Sequence, residues 1–217
     1  QHHPRHVCTS CGATEGLGWV DSGGDGVVDT FTVVHRAPRP ELEAPYVIAR
    51  VRLDGWRASY RGLVPQKSLD AMSLEASLPL WQRVLASPTD RASVFVAEGA
   101  AGVAGFVAGT GLAEPKQGFD SELTAIFLAR ELQRQGLGRR LAGTIAADRA
   151  AHGATGMIVW VLAGDKGARG FCESLGAELV VEQPFEWDGM PLVEAGYGWR
   201  DLGALVDHVQ QVSVEAV

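Results

Sequence analysis

The chain has 217 residues, of which 46% are hydrophobic, and a formal net charge of −7 at pH 7. This length and composition fit one domain with an appendage and exclude an intrinsically disordered chain. The negative charge argues against a nucleic-acid binder, because neutralising phosphates requires a basic face. No apolar run is long enough to span a membrane and no signal stretch begins the chain, so the sequence predicts a cytoplasmic protein without membrane contacts.

Residues 1–28 are rich in Gly, His and Cys and lack helical or strand periodicity, which predicts an N-terminal appendage to a domain at residues 29–217. Cys8 and Cys11 form one C-x-x-C pair close to several histidines. Structural zinc sites normally take a second pair of ligands from further along the chain, and the sequence has no second cysteine pair. We therefore expect a loosely ordered tail and no metal, with zinc binding by a remnant ribbon as the alternative.

Residues 29–36 alternate and are rich in β-branched side chains, which predicts a first strand. Residues 46–54 fit two patterns. Their alternation is typical of a strand, whereas a spacing of four favours a helix with one face formed by Ile48, Arg52, Trp56 and Tyr60. The helix is the preferred prediction, because residues 56–60 continue without a turn until Gly62.

The segment before the central strand contains helices and a hairpin. Residues 69–86 carry apolar side chains at roughly helical spacing, and Pro79 interrupts them, which predicts two short helices. Residues 92–98 and 103–109 are predicted strands joined as a hairpin through a glycine-containing turn. Residues 111–118, which include Pro115, predict a loop before the central strand.

The most informative stretch is residues 122–141. Residues 124–128 form an apolar run typical of a buried strand, and apolar residues at helical spacing follow at Leu137, Leu141 and Ile145. Between them, Gly136 and Gly138 let the backbone come close to a ligand at a helix N-terminus, where free N–H groups favour an anion. Positive charge surrounds this turn at Arg134, Arg139 and Arg140. The stretch therefore predicts a phosphate site.

The C-terminal part completes an α/β pattern. Residues 156–162 predict a buried strand, and residues 168–175 predict a helix that ends at Gly176. Residues 179–187 and 191–199 predict a hairpin around Asp188 and Gly189. A last helix is predicted from Asp201 to about residue 210.

The segment Gln133-x-x-Gly136-x-Gly138 resembles motif A of the GNAT superfamily of N-acetyltransferases, and residues 160–176 resemble its motif B. The resemblance extends from about residue 29 to the end of the chain. It implies an α/β (α+β) fold, in which a central mixed, mostly antiparallel sheet is flanked by helices. It also implies an acetyltransferase that uses acetyl-CoA as co-substrate and transfers its acetyl group directly to a primary amine of a small molecule or a peptide.

The resemblance also implies which residues bind the cofactor. The main-chain groups of Ile126, Phe127 and Leu128 would pair with the pantetheine arm as an added strand does. Asp165 stands where the family usually has an asparagine that bonds to the same arm. The pyrophosphate would be held by Gln133, Arg134, Gln135, Gly136, Leu137, Gly138 and Arg139.

The catalytic residues are harder to assign. Glu122, at the predicted start of the central strand, is the candidate general base, with Asp120 as a competitor. Trp160 stands where related enzymes carry a glutamate, and Cys172 stands where the family usually has the tyrosine that protonates the leaving thiolate. Cys172 is therefore the candidate acid at that position. Trp56 and Tyr60 are expected to line the acceptor pocket, as the first two helices do in the family.

A second resemblance covers about residues 7–55, which resemble the zinc-ribbon and OB-fold domain associated with acyl-CoA enzymes. The family's ribbon uses two cysteine pairs, so this chain departs from the pattern. Two alternatives to the enzyme stay open, the first because of Trp160 and Cys172 and the second because of the N-terminal cysteine pair. One is a module that binds acetyl-CoA but has lost catalysis, and the other is a scaffold protein associated with acyl-CoA. The expected partner is the amine acceptor, and a homodimer is an open alternative to a monomer.

Overall fold

The computed structural model describes residues 31–33, 44–86, 91–99 and 102–214. The predicted appendage at residues 1–28 lies outside the described residues, as do Cys8 and Cys11. The predicted first strand at residues 29–36 is described only at Phe31–Val33, where a strand is present.

The strands of the described part form one seven-stranded sheet in the order β1-β2-β3-β4-β5-β7-β6. The strands are β1 (Phe31–Val33), β2 (Ala92–Gly99), β3 (Gly102–Lys116), β4 (Phe119–Leu128), β5 (Met157–Leu162), β6 (Glu178–Trp187) and β7 (Met190–Trp199). Neighbouring strands are antiparallel except β4 and β5, which are parallel. The predicted mixed, mostly antiparallel sheet is therefore confirmed.

Helices cover both faces of this sheet. They are α1 (Ala44–Ser59), α2 (Gln66–Ala71), α3 (Leu74–Ala86), α4 (Leu137–Ala151), α5 (Lys166–Ser174) and α6 (Leu202–Val214). On one face, Ile48 of α1 and Trp81 of α3 pack with Phe106 of β3 in one buried cluster. On the other face, α4, α5 and α6 pack on the sheet through a second cluster. None of the described helices is both long and apolar enough to cross a membrane.

The preferred helix at residues 46–54 is confirmed, and the alternative strand is wrong. Ile48, Ala49 and Leu53 are buried, with exposed fractions of 1%, 0% and 8%, whereas Arg50 and Asp54 are exposed. This burial follows one face of a helix and not the alternate residues of a strand. Gly55 brings α1 close to β4, since a Cβ at this position would lie 2.5 Å from Cδ1 of Phe127.

The predicted break at Pro79 is misplaced, because Pro79 lies inside α3. The break occurs at Met72, which is extended, and Ser73, whose Oγ accepts a hydrogen bond from the N–H of Ala76 at 3.1 Å. This cap starts a new helix by satisfying one of the free donors of its first turn. Pro79 then costs α3 a backbone hydrogen bond, which packing of the apolar face of α3 outweighs.

The predicted loop at residues 111–118 is also wrong. Strand β3 continues to Lys116 and turns into β4 through Gln117 and Gly118, which have φ values of 52° and 84°. Pro115 lies in the irregular stretch between the paired residues 111 and 116, where register with β4 is shifted. Because β4 begins at Phe119, Glu122 lies within the strand and not at its start.

Candidate active site

Strands β4 and β5 separate part of the way along their length. They pair only from Ser121 to Leu123 on β4, opposite Met157 to Val159 on β5. Beyond this point β4 stays paired with β3 as far as Leu128, and β5 stays paired with β7. From residue 124 onward, the edge of β4 that faces β5 therefore pairs with no described strand. An extended ligand can bind to such an edge through main-chain hydrogen bonds.

The N-terminus of α4 follows this free edge. Gly136 is the N-cap residue, in the left-handed conformation with φ 81°, and no side chain caps the helix. A Cβ on Gly136 would meet nothing within 4 Å, so the backbone conformation, and not lack of space, favours glycine here. The first-turn N–H groups of α4 have no intrahelical partner, and together with the helix dipole they favour an anion.

Gly138 lies where α4 packs against α5 and β4. A Cβ at this position would lie 3.2 Å from the Phe171 ring and 3.4 Å from Cδ1 of Leu128. The glycine therefore lets α4 pack closely against α5 and β4, while its own N–H belongs to the first turn of α4. This packing by itself favours glycine at position 138, and the expectation that the missing Cβ also makes room for the ligand stays a prediction.

Several side chains brace the turn between β4 and α4. The side-chain amide of Gln133 donates to the carbonyl oxygen of Leu128 at 3.2 Å. The side-chain amide of Gln135 donates to the backbone carbonyl oxygen of Glu131 at 3.0 Å. Arg134 adopts a positive φ of 64°. Nη1 of Arg139 is buried and has no hydrogen-bond partner among the described residues. The uncapped start of α4 and the positive charges of Arg134 and Arg139 beside it fit a ligand that carries phosphate groups.

A cleft of about 290 Å³ opens beside the free edge of β4. It extends from Gln133 to the hairpin of β6 and β7, and the C-terminal part of α1 covers it. Its walls are largely aromatic and apolar. Its charged and polar lining includes Arg52, Ser59, Thr124, Gln133, Asp165 and Glu194.

The aromatic wall is formed by α1, β5 and β6. The ring of Trp56 packs edge-on against Tyr60 at 4.7 Å and against Trp187 at 5.4 Å between centroids. Trp160 lies opposite Gly196 of β7, where a Cβ would come within 3.0 Å of the indole. Gly196 therefore leaves the space that the Trp160 side chain occupies. Trp56 and Tyr60 both line this cleft, and that the cleft binds the acceptor stays a prediction.

Burial and two nearby charges act on the pKa of the Tyr60 phenol. Burial raises the pKa of Tyr60, the charge of Asp165 raises it further, and Arg52 lowers it. The phenol is therefore protonated at neutral pH. Asp165 is the N-cap of α5, and its Oδ1 accepts the N–H of Ala168 at 2.9 Å. This bond orients the Asp165 carboxylate at the wall of the cleft.

The predicted base, Glu122, forms an ion pair with Lys116. The Lys116 Nζ donates to Oε2 of Glu122 at 2.7 Å, and the Glu122 side chain is 17% exposed. Glu122 is not among the residues that line the cleft.

Its competitor, Asp120, accepts hydrogen bonds from the backbone N–H groups of Thr155 and Gly156 and from the Thr155 hydroxyl. Burial alone would raise the pKa of Asp120, but these hydrogen bonds hold it below its usual value. Asp120 is therefore a weak proton acceptor whose hydrogen bonds fix the start of β5.

Glu194, which the sequence analysis missed, lines the cleft from β7. It lies opposite Leu162 of β5, and its Oε1 accepts a hydrogen bond from the side chain of Gln183 at 2.7 Å. Its second carboxylate oxygen makes no hydrogen bond with a described residue. The alternation along β7 places residues 192, 194 and 196 on one face of the strand, but only the pairing of β7 with β5 brings that face beside Trp160.

Cys172 lies in the core between α5 and the sheet, with an exposed fraction of 3%. Burial, followed by the charge of Glu173, raises the pKa of its thiol to about 12. Cys172 does not line the cleft. These observations argue against the predicted role of Cys172 as proton donor to a leaving thiolate.

Replacing Cys172 with alanine is therefore expected to change turnover by less than about tenfold, since no reacting group is removed. The thiol of Cys172 should also resist alkylation by iodoacetamide at pH 8 in the folded protein, because it is buried and protonated. Peptide mapping by mass spectrometry after alkylation, with and without denaturant, measures this. Rapid labelling of Cys172 in the native protein would contradict its placement in the core.

Comparisons with known proteins agree with this arrangement. The family model described as the acetyltransferase (GNAT) family matches residues 56–177, which is more than half of the chain. A model of the ChsH2 C-terminal OB-fold domain matches residues 19–66, a range that includes the helix α1. The chain is 35% identical over 166 residues to an uncharacterized N-acetyltransferase, YuaI of Bacillus subtilis, and the match covers 76% of this chain and 92% of YuaI.

Solved structures share the fold. The PaiA N-acetyltransferase of Thermoplasma acidophilum, in complex with coenzyme A, has a TM-score of 0.56 at 15% identity over 76% of this chain and 98% of its own. The YncA protein of Salmonella typhimurium, with its cofactor acetyl-CoA, has a TM-score of 0.56 at 15% identity. The match covers 79% of this chain and 92% of YncA. The chain therefore belongs to the acetyltransferase (GNAT) family, which confirms the predicted class of enzyme, an acetyl-CoA-dependent acetyltransferase.

Proposed function

We propose that this chain transfers the acetyl group of acetyl-CoA directly to a primary amine of a small molecule or a peptide. The observation that carries the proposal is the free edge of β4, which lines a cleft with an aromatic wall and is followed along the chain by the uncapped N-terminus of α4. This arrangement offers an anion site at the helix for a phosphate-bearing donor and an aromatic cleft for an acceptor.

On the donor side, the proposal assigns the main-chain groups of Ile126, Phe127 and Leu128 to the pantetheine arm, because no described strand pairs with that edge of β4. The segment from Gln133 to Arg139 is assigned to the pyrophosphate, because it contains the uncapped first turn of α4 and carries the positive charges of Arg134 and Arg139. Asp165 is assigned to the pantetheine arm from the opposite wall.

On the acceptor side, the amine must be neutral to attack. An ammonium group first loses a proton; the nitrogen then bonds to the acetyl carbon as the carbon–sulfur bond breaks. The amide nitrogen gives up a second proton, and the thiolate takes one up. Glu194 is the proposed proton acceptor, directly or through a water, because it lines the cleft and has an oxygen without a partner among the described residues. Glu122 stays the competing prediction.

Titration calorimetry with acetyl-CoA, followed by a thiol-release assay over a panel of primary amines, tests the function. Binding together with amine-dependent release of coenzyme A is the expected result. Binding without turnover on any amine would favour a module that has lost catalysis. Absence of binding would overturn the assignment of the donor site and favour the scaffold protein.

A further inference from the structure

Arg52 is a charged residue of the cleft that the proposed reaction does not use. It is half-buried on α1, lines the cleft, and its Cζ lies 4.7 Å from the centroid of the Trp56 ring. It makes no ion pair or hydrogen bond with a described residue. The acid nearest to it on the same helix, Asp54, instead pairs with Arg50 at 3.9 Å.

A half-buried guanidinium without an acidic partner is a strong site for an anion. Burial lowers the pKa of Arg52, and Tyr60 opposes this shift, whereas no carboxylate of the described residues offsets the loss of solvation. An arginine presents several N–H donors in a planar fork that matches a carboxylate. The phosphates of the donor have a separate place at α4, so the anion expected at Arg52 belongs to the acceptor.

The cleft also exposes apolar surface close to the aromatic wall. Phe185 is 36% exposed, which is high for a large apolar side chain, and it lines the cleft with Trp187 and Leu192. Exposed apolar surface inside a cleft gains free energy when an apolar part of a ligand covers it. Glu194 lies on the same face of the hairpin and adds a negative charge that suits an amino group.

We propose that the acceptor is a free α-amino acid with an aromatic or large apolar side chain. Arg52 binds its carboxylate, Phe185 and Trp187 contact its side chain, and its amino group faces Glu194. This inference rests on the proposed function and narrows the acceptor from primary amines in general. The proposed acceptor class excludes polyamines, because they have no carboxylate. It also excludes the N-terminus of a peptide, because the α-carboxyl group of the first residue is part of a peptide bond.

The test compares acceptors that differ only in the carboxylate: L-phenylalanine with 2-phenylethylamine, and L-leucine with 3-methylbutylamine. Each is assayed with the wild type, with Arg52→Met and with the control Arg50→Met. Arg50 is on the same helix, but its side chain is 66% exposed and pairs with Asp54. Arg52→Lys is a second variant that keeps the charge and loses the planar fork. Thermal unfolding and acetyl-CoA titration establish that each variant is folded.

The wild type should prefer the amino acid in at least one pair. Arg52→Met should lower kcat/KM for that amino acid by roughly 10- to 100-fold, mainly through KM, as expected for loss of a charged hydrogen bond. The matched amine should change by less than about threefold, and Arg50→Met should leave both substrates unchanged. Arg52→Lys should lie between the wild type and Arg52→Met.

Other outcomes overturn the inference. Equal losses for an amino acid and its matched amine would show that Arg52 supports Trp56 and does not bind a carboxylate. If acetyl-CoA binds and another amine of the panel is acetylated while these amino acids are not, the inference fails and the proposed function stands. If no amine is acetylated, the proposed function itself fails.

Discussion

Replacing Glu194 with glutamine is expected to lower kcat by about a hundredfold or more, the usual contribution of a general base, while acetyl-CoA affinity stays unchanged. Glutamine keeps the shape of the side chain and its contact with Gln183, but it cannot accept a proton. The loss should be largest at low pH, where more of the acceptor amine is protonated. Steady-state kinetics across pH, together with calorimetric titration of acetyl-CoA, measure both quantities.

The matched control is Glu122→Gln, which removes the other candidate base. Because Glu122 pairs with Lys116 and does not line the cleft, this variant should retain turnover within about threefold of the wild type. The reverse result, with a large loss in Glu122→Gln and none in Glu194→Gln, would restore the base predicted from the sequence. Unchanged turnover in both variants would leave proton removal to solvent.

Replacing Gly136 with valine should weaken acetyl-CoA binding by at least about tenfold, since a β-branched residue in the left-handed region costs more than 1 kcal/mol and the turn must shift to relieve it. The N–H groups at the start of α4 would then no longer converge on one phosphate position. Gly136→Asn should have an acetyl-CoA affinity closer to that of the wild type, because asparagine tolerates the left-handed conformation. Titration calorimetry of both variants measures the difference.

Gly176→Val controls for the general effect of backbone strain. Gly176 also has a positive φ of 77° and open space around its Cβ position, but it follows α5 and does not line the cleft. This variant should lose stability and keep its acetyl-CoA affinity. If Gly136→Val binds acetyl-CoA as well as Gly176→Val does, the phosphate site does not lie at the start of α4.

Elements that depend on neighbouring residues could be predicted from the sequence. Asp188 and Gly189 both have positive φ, and this turn joins β6 and β7 in the predicted hairpin. The glycine turn before α4 is similar, because the left-handed conformation of Gly136 is a property of that one position. In these places the local pattern and the final packing agree.

Features that depend on packing between distant segments could not be predicted in the same way. Pro79 would break an isolated helix, but Ser73 provides a cap and the apolar face of α3 packs on the sheet. Cys172 occupies the position in the sequence where the family has a tyrosine. Its side chain, however, lies on the face of α5 that packs in the core. Glu194 is recognisable only when β7 is known to lie beside β5, which a single sequence does not specify.

The short junction between β4 and β5 has a thermodynamic consequence. Three residue pairs join these strands, so few direct backbone hydrogen bonds link the half of the sheet formed by β1 to β4 with the half formed by β5 to β7. A donor that lies along the free edge of β4 binds only the folded chain, because the unfolded chain has no such edge. By mass action it adds about 2.7 kcal/mol to the free energy of unfolding at a hundred times its dissociation constant. The melting temperature should therefore rise with acetyl-CoA concentration, so that the stability of the folded protein depends on the concentration of its own substrate.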